Sequence, residues 1–368
     1  AQQIKNSKSQ NHIAVKAVDA DFKLALSGTP VENSSADLWS ICNFALPNYF
    51  GSLTQFQTYS ETSPDYIKNR LRPFMLRRTK KEVLEELPDK TEIDIKVDLN
   101  KAQQDLYKTI IDAAKKGIRN LSGKNDRLHI LTSIMKLRQL CLHPRLLKEV
   151  SEGIDVTSEK FEIVKQKLSE LIKEGHKIVV FTQFTGMLDL LTKWCAESSI
   201  NVERIDGTCS PKQRIAAVNR FQNEKKPTVF AISLKAGGVG ITLTSADYVF
   251  HLDPWWNPAI ENQATDRVHR MGQKNHVMVY KFIARGTIEE KIIDLIKKGG
   301  RMQLITSPNL STFDKSALEK SVTDSVEDRE KMFSDLFFED LVNDPSGTKQ
   351  HFAKLMAYML TNQIDGKP

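Results

Sequence analysis

Two neighbouring segments carry the most information about this chain: Asp253-Pro-Trp-Trp-Asn257-Pro258 and Gln263-Ala-Thr-Asp-Arg267-Val-His-Arg270-Met-Gly-Gln273. The first is typical of a strand end, a turn and a helix start. Asn257 can cap a helix, and Pro258 suits the first helical position, where no N–H is needed. Three apolar side chains at helical spacing could pack this helix on a sheet: Ile260, Ala264 and Val268.

The same helix would carry the polar groups of the second segment. Gln263, Arg267 and Arg270 stand at i, i+4 and i+7, so they would share one helical face. A carboxamide and two guanidiniums suit the spread negative charge of a transferring phosphoryl group. The alternative is a solvated helix whose arginines pair with Asp266 and Glu261.

Residues 158–295 alternate predicted strands and helices, which is typical of a parallel sheet covered by helices on both faces. The predicted strands are Lys177–Phe181, Val202–Ile205, Thr228–Ile232, Tyr248–Leu252 and Val277–Ile283. The predicted helices between them include Phe161–Lys173, Met187–Ser198 and Pro211–Phe221. The sequence therefore predicts an α/β domain.

The preceding region, residues 31–150, is predicted to be mainly helical, with one alternating strand at Glu92–Leu99. Apolar residues recur there at helical spacing and are expected in the core: Tyr107, Ile110, Ile111, Ile130, Ile134, Leu137 and Leu140. A further strand is predicted at Phe22–Leu26. With no sheet of its own, that segment is expected to be poorly ordered and to exchange its amides fast.

Composition favours a polyanionic partner. The chain has 368 residues, 27% of them charged, with a net charge of +7. Residues 314–344 hold ten acidic and four basic side chains, so the remainder is more basic still. Phosphate neutralisation supplies much of nucleic-acid affinity, although general solubility would explain the same charge.

The cysteines point to a reducing compartment. Cys42, Cys141, Cys195 and Cys209 have no paired spacing, so no disulfide framework is expected. Zinc at Cys141 and His143 is not expected, since two further ligands are not apparent. The sequence has no apolar run of membrane-spanning length, and no membrane contact is predicted.

Further short motifs occur in a fixed order along the chain. They are Leu26-Ser-Gly-Thr-Pro30-Val-Glu-Asn33, Phe74-Met-Leu-Arg-Arg-Thr-Lys80, Val180-Phe-Thr-Gln-Phe184, Arg204-Ile-Asp-Gly-Thr208 and Ser233-Leu-Lys-Ala-Gly-Gly-Val-Gly240. With the arginine run, these motifs resemble the Swi/Snf family of DNA-dependent ATPases within helicase superfamily two. The resemblance covers Leu26 to about Leu295. The Trp-Trp turn separates that family from the RNA helicases.

The resemblance implies an α/β, RecA-like fold with a mainly helical, family-specific insertion, and two lobes with ATP and Mg²⁺ held mainly by the first. The chain opens with Ala1-Gln2-Gln3-Ile4-Lys5-Asn6, which resembles the residues just after the family's metal-binding Asp-Glu. The sequence contains no Walker-type phosphate loop. Residues 1–30 are therefore expected to be the tail of a truncated first lobe, and the chain alone is expected to be inactive.

The resemblance also implies a nucleotide-facing set of residues. Arg267 and Arg270 would be arginine fingers, with Gln263 beside them to sense the γ-phosphate. Gly238, Gly240 and Asp247 would contribute to cofactor binding. The glycines permit close backbone approach, although a loop that simply packs tightly would need them as well.

Contacts to DNA are expected from backbone-directed groups, because a translocating motor must tolerate any sequence. The expected DNA-binding residues are Ser27, Thr29, Thr182, Gln183, Phe184, Arg204, Gly207, Lys235 and Trp255. For the tryptophan turn, burial of at least one indole is the favoured alternative. The basic segment Arg70–Lys81 would join the lobes, or is simply solvated.

Four regions follow from these arguments: 1–30, the first-lobe tail; 31–150, a helical linker and protrusion; 151–300, the second RecA-like lobe; and 301–368, a partly acidic extension. The expected function is the C-terminal part of an ATP-dependent double-stranded DNA translocase that remodels protein–DNA complexes. The alternative is a non-hydrolysing DNA- or partner-binding module. A monomer in a bacterial or archaeal cytoplasm is expected, or in the nucleus if the host is eukaryotic.

Overall fold

The structure is a computed structural model. It describes residues 1–28, 30, 35–78, 80, 84, 86–119, 125–148, 150, 156–237, 240–255 and 258–298. For Gln2, Lys235, Gly237 and residues 115–119, 125–131 and 295–298 it describes the backbone alone. Two compact units are present: unit 1 contains Ala1–Arg78, and unit 2 contains Thr79–Asp294.

Unit 1 is helical in its described residues. A 3₁₀ turn at Gln2–Ile4 precedes four helices: α1 Gln10–Lys16, α2 Ser35–Ala45, α3 Leu53–Thr62 and α4 Pro64–Leu71. Helix α3 begins with a capping box between Ser52 and Gln55. A small core holds α2, α3 and α4 together through buried apolar side chains: Leu38, Cys42, Phe50, Phe56, Ile67 and Leu71.

Unit 2 is built on a six-stranded sheet in the order β1-β6-β5-β2-β4-β3, and every described pair is parallel. The strands are β1 Lys90–Val97, β2 Ile178–Thr182, β3 Asn201–Ile205, β4 Thr228–Ser233, β5 Tyr248–His251 and β6 Val277–Ala284. The helices are α5 Lys101–Arg119, α6 Asn125–Leu142, α7 Glu159–Lys173, α8 Thr185–Glu197, α9 Pro211–Asn223, α10 Leu234–Gly237, α11 Pro258–Thr265 and α12 Ile288–Lys298. Another 3₁₀ turn lies at Pro144–Leu146.

Helices cover both faces of the sheet, which is why β2 and β4 are buried at every residue. On one face, α7 and α8 pack on the strands through Phe161, Leu168, Met187, Leu191, Val180 and Phe250. On the other face, Phe221 of α9 stacks on Phe230 at 4.8 Å, and Phe181 stacks on His251 at 5.4 Å. The α/β prediction is confirmed.

Two expectations about the N-terminal part are corrected. The predicted strand at Phe22–Leu26 is irregular, because the described part of unit 1 offers it no strand to pair with. The side chains of Phe22, Leu24 and Leu26 are instead exposed. The strand predicted at Glu92–Leu99 does form, as β1, but it belongs to the sheet of unit 2 by pairing with β6. The two compact units divide after Arg78.

Candidate functional site

The helix that begins at Pro258 is shorter than the sequence predicts. Helix α11 ends at Thr265, so Gln263 is helical while Arg267 and Arg270 lie in the turn that follows. This corrects the expectation of one continuous helical face. We call residues 266–273 the arginine turn.

Tertiary hydrogen bonds end the helix. The N–H groups of Arg267 and Val268 bond to carbonyls only three positions back, at 3.1 and 2.9 Å, which tightens the chain. The Arg267 carbonyl then accepts the N–H of Leu243 at 2.8 Å. The side chain of Gln273 donates to the carbonyls of Ala246 and Val268. The arginine turn is thereby fixed to the loop that precedes β5.

The two arginines of the turn are electrostatically coupled. Arg267 is half-buried, and its pKa is lowered by burial and then by the positive charge of Arg270, while Asp266 opposes the shift. Arg270 is exposed, and its Nη1 donates to Thr242 Oγ1 at 3.1 Å. Two guanidiniums that repel each other would both gain from an anion placed between them. The half-buried side chain of Gln263 belongs to the adjoining helix.

Of the remaining residues expected at the nucleotide, the structure describes some and not others. Gly240 adopts a φ of +38°, and a Cβ there would meet open space, so the glycine is required by its backbone. Gly238 lies outside the described residues. The backbone of Lys235 belongs to α10, and its side chain is likewise outside the description.

Asp247, expected near the nucleotide, contacts a histidine in the structure. Its Oδ2 lies 2.7 Å from Nδ1 of His176, at the start of β5. Its Oδ1 is buried and accepts no hydrogen bond from the residues that the structure describes. Within the same residues, no group of three or more His, Cys, Asp or Glu side chains could hold a metal.

A buried polar cluster occupies the carboxyl end of β2 and β5. Asp253 accepts hydrogen bonds from Thr182 Oγ1 at 2.5 Å, from the Gln183 N–H at 3.2 Å and from the Gln183 side chain. Arg138 of α6 donates to Gln183 Oε1 at 3.0 Å and to the Pro254 carbonyl at 2.9 Å. Burial lowers the pKa of Arg138, and the charge of Asp253 counteracts that shift.

This cluster changes the expectation for three DNA-binding residues. Thr182, Phe184 and Trp255 are 0%, 8% and 8% exposed, so their side chains face protein rather than solvent. The guanidinium of Arg138 lies over the rings of Phe184 and Trp255 at 5.6 and 5.9 Å. Their side chains pack at the end of the sheet, and their role at DNA stays a prediction. Gln183 is half-buried beside them.

The other residues expected at DNA lie elsewhere. Arg204 Nη1 contacts Asp189 at 2.5 Å, and its Nε donates to Asp206 at 2.8 Å. Gly207 follows β3, is exposed, and has open space where a Cβ would stand. Ser27 is exposed in unit 1, and Thr29 lies outside the described residues.

A second buried cation was missed from the sequence. Lys160 of α7 is fully buried, and its Nζ lies 2.5 Å from Glu289 and donates to the carbonyls of Leu252 and Phe282 at 3.2 Å. Burial raises the pKa of Glu289, against the lowering effect of Lys160. The only sequence signal for these two buried cations was their position, because Lys160 and Arg138 fall among the buried, apolar positions of their helices. Such a position does not identify the carboxylate that a buried cation will meet.

Comparison with known proteins agrees with this geometry. Residues 1–146 match the SNF2-related domain, and residues 159–272 match the helicase conserved C-terminal domain. An uncharacterized ATP-dependent helicase of Mycoplasma pneumoniae is 44% identical over 79% of this chain. The human SWI/SNF-related matrix-associated actin-dependent regulator of chromatin subfamily A member 1 is 35% identical over 80%. The chain spans only 28% and 30% of those two relatives.

A solved structure covers more of the chain. The Sulfolobus solfataricus SWI2/SNF2 ATPase core in complex with dsDNA is 33% identical, with a TM-score of 0.54, over 92% of this chain and 71% of that one. The parallel sheet, its order of elements, both family matches and this solved structure therefore indicate the same family. This chain belongs to the Swi2/Snf2 family of ATP-dependent helicases.

Proposed function

We propose that this chain supplies the second RecA-like lobe of an ATP-dependent translocase on double-stranded DNA. In this proposal Arg267 and Arg270 are arginine fingers that stabilise negative charge on the phosphoryl group of ATP as it is transferred to water. ATP is the substrate, and the groups that grip its phosphates and its Mg²⁺ come from the first lobe. Movement along DNA would in turn remodel DNA-bound proteins.

One observation supports the arginine role most directly. Both arginines lie in the arginine turn, and the pKa of the half-buried Arg267 is lowered first by burial and then by the positive charge of Arg270. A backbone bond from Leu243 and the Gln273 side chain hold the turn that carries both guanidiniums, and an anion bound there would offset the repulsion between them. A phosphoryl group in transfer is such an anion, with charge spread over its equatorial oxygens.

Two observations support the proposed DNA role. The chain has a net charge of +7, and the loop after β3 presents the exposed Gly207 beside the Arg204 side chain. A backbone without a side chain allows close approach of a phosphate, which is the contact that a sequence-tolerant motor needs. The similar Sulfolobus core was solved with double-stranded DNA.

The test replaces each arginine in the complete two-lobe protein. We expect Arg267→Ala and Arg270→Ala to lower DNA-stimulated ATP hydrolysis by about a thousandfold or more, as for other arginine fingers. Duplex affinity and the melting temperature should stay unchanged. Arg220→Ala is the matched control, because Arg220 is 61% exposed and bonds only to the Glu203 carboxylate among its described contacts. Near-normal hydrolysis by both arginine variants would reject the proposal.

The alternative is a binding module that holds duplex DNA or a partner and hydrolyses nothing. It is favoured for the chain on its own, because the sequence contains no Walker-type phosphate loop. ATP hydrolysis by the 368-residue chain, compared with the complete protein on duplex DNA, single strands and RNA, separates these readings. Hydrolysis by the chain alone would contradict the division of labour between lobes.

A further inference from the structure

A lysine outside the arginine turn contacts that turn directly. Lys80 is near the start of unit 2, and its Nζ lies 2.7 Å from Oδ1 of Asp266. The same ammonium donates to the backbone carbonyl of His269 at 2.5 Å. Lys80 therefore contacts the arginine turn on both sides of Arg267, through the Asp266 carboxylate and through the His269 backbone carbonyl.

The segment that follows Lys80 makes further contacts with this part of the fold. The His269 ring nitrogen Nε2 lies 2.7 Å from the carbonyl of Pro88. The N–H of Val277, where β6 begins, donates to the Asp89 carbonyl at 3.1 Å. Lys80 and Pro88 thus contact the arginine turn, and Asp89 contacts the first residue of β6.

The charge of Asp266 explains why this grip matters. Asp266 adjoins Arg267 in sequence, and its negative charge partly opposes the lowering of the Arg267 pKa by burial and by Arg270. A carboxylate so placed can compete with phosphate for the arginine, because both are anions that match the guanidinium fork. The ammonium of Lys80 occupies the carboxylate and offsets its charge.

We propose that Lys80 is a positioning residue for the arginine turn: it holds the Asp266 carboxylate and the His269 carbonyl, so that Arg267 and Arg270 are directed to a phosphoryl group instead of to Asp266. The inference rests on the proposed function, since it explains how the same two arginines are held in position. It also gives a physical role to the segment beyond Arg78, where unit 1 ends.

The stability of the fold should depend little on this contact. The Lys80 and Asp266 side chains are 36% and 46% exposed, and solvent-exposed ion pairs contribute little to folding. A loss of activity without a loss of stability is therefore the expected signature. That combination separates positioning of the turn from a general structural role.

The first experiment measures steady-state ATP hydrolysis by the complete protein on duplex DNA. We expect Lys80→Met to lower kcat about tenfold, a typical coupling between contacting charged groups. The KM for ATP and the duplex affinity should change less than about twofold. The melting temperature should change by no more than a few degrees, roughly. Lys80→Arg should recover most of kcat. Lys101→Met is the control, because Lys101 is 86% exposed and its Nζ lies 3.8 Å from Asp105 Oδ1 on α5, a pair that does not involve the arginine turn.

The second experiment tests whether Lys80 acts through the carboxylate. Adding Asp266→Asn to Lys80→Met should restore kcat to within about threefold of the unmodified protein, since the competing charge is then gone. A double variant as slow as Lys80→Met alone would overturn the proposal. So would full kcat for Lys80→Met in a protein that Arg267→Ala inactivates, and that result would leave the arginine fingers standing. Activity of Arg267→Ala itself would instead reject the proposed function.

Discussion

The guanidinium of Arg138 lies 3.4 Å from the carboxylate of Asp253, and neither side chain is exposed to solvent. Arg138 belongs to α6, in the helical region before the alternating strands, while Asp253 follows β5. The same arginine also donates to the Pro254 carbonyl and to Gln183. One buried cation therefore ties the helical region to two loops at the carboxyl end of the sheet.

Removing that cation should be costly. We expect Arg138→Met to lower the free energy of unfolding of the chain by about 3–5 kcal/mol, because Asp253 would keep a buried charge without its partner. Urea unfolding followed by circular dichroism measures the loss. The control is Arg220→Met, which breaks a pair on an exposed arginine and should have a much smaller effect on stability. A loss of the same small size for Arg138→Met would contradict the structural role.

The buried pair of Lys160 and Glu289 allows a double-variant test. Lys160→Met alone should lower the free energy of unfolding by about 3–5 kcal/mol, since Glu289 is left charged in the interior. Adding Glu289→Gln removes that charge and leaves an oxygen to accept the Ala284 N–H, so about 1–3 kcal/mol should be regained. Additive losses in the double variant would show that the two side chains do not act as a pair.

Stability should depend on pH through Glu261. Burial raises the pKa of this carboxyl group from 4.5 to about 7, although it accepts the Trp255 N–H and lies 3.9 Å from Lys281. The folded chain therefore keeps a proton that the unfolded chain has released between these pH values. Its contribution to stability is full below about pH 4.5 and is lost as pH rises through about 7, a change of about 3 kcal/mol.

The variant Glu261→Gln isolates this group, because the amide oxygen can still accept the Trp255 N–H and cannot ionise. Its stability minus that of the unmodified chain should be near zero at pH 4.5 and should rise to about 3 kcal/mol at pH 8. Glu170→Gln serves as control, since Lys167 lowers the pKa of that exposed carboxyl group and the pH trend should be reversed. A difference that does not vary with pH would show that folding leaves the pKa of Glu261 unchanged.

The loop after β3 provides a test of DNA contact. A side chain at Gly207 meets open space, so both Gly207→Ala and Gly207→Glu should fold normally. We expect the glutamate to weaken duplex binding of the complete protein about tenfold at low salt, with a smaller effect at high salt, because it repels phosphate. The alanine variant is the matched neutral control. Equal affinities for the two variants would remove this loop from the DNA interface.

Much of the sheet was predictable from sequence. Five strands were placed within one residue of their bounds, because a strand buried on both faces is a short apolar run between turn residues. The sixth strand, β1, was found as a strand but not as part of this sheet. Local pattern identifies an extended segment, whereas its partner is decided by contacts far along the chain.

The candidate site was less predictable, for related reasons. Residue type and spacing predicted Arg267 and Arg270 on one helical face, but the helix ends at Thr265, and hydrogen bonds from Leu243 and Gln273 hold the turn that follows. Thr182, at a strand end, was expected to face a ligand, and in the structure its hydroxyl group donates to the buried Asp253 carboxylate. The roles of Arg138 and Lys80 depend on partners remote in sequence, which a single chain without its fold does not reveal.

The edge strand β1 has a consequence for how the polypeptide is made and divided. Thr91 Oγ1 and His276 Nε2 lie 2.9 Å apart although 185 positions separate them. Nearly the whole lobe must emerge during translation before this pairing can close, which makes folding intrinsically slow. A protein that begins near residue 158, where the strand–helix alternation begins, would lack β1. The backbone groups of β6 that pair with β1 would then be unpaired at the edge of the sheet. Neighbouring molecules could then add to that edge, so soluble pieces of this lobe need to begin ahead of Lys90.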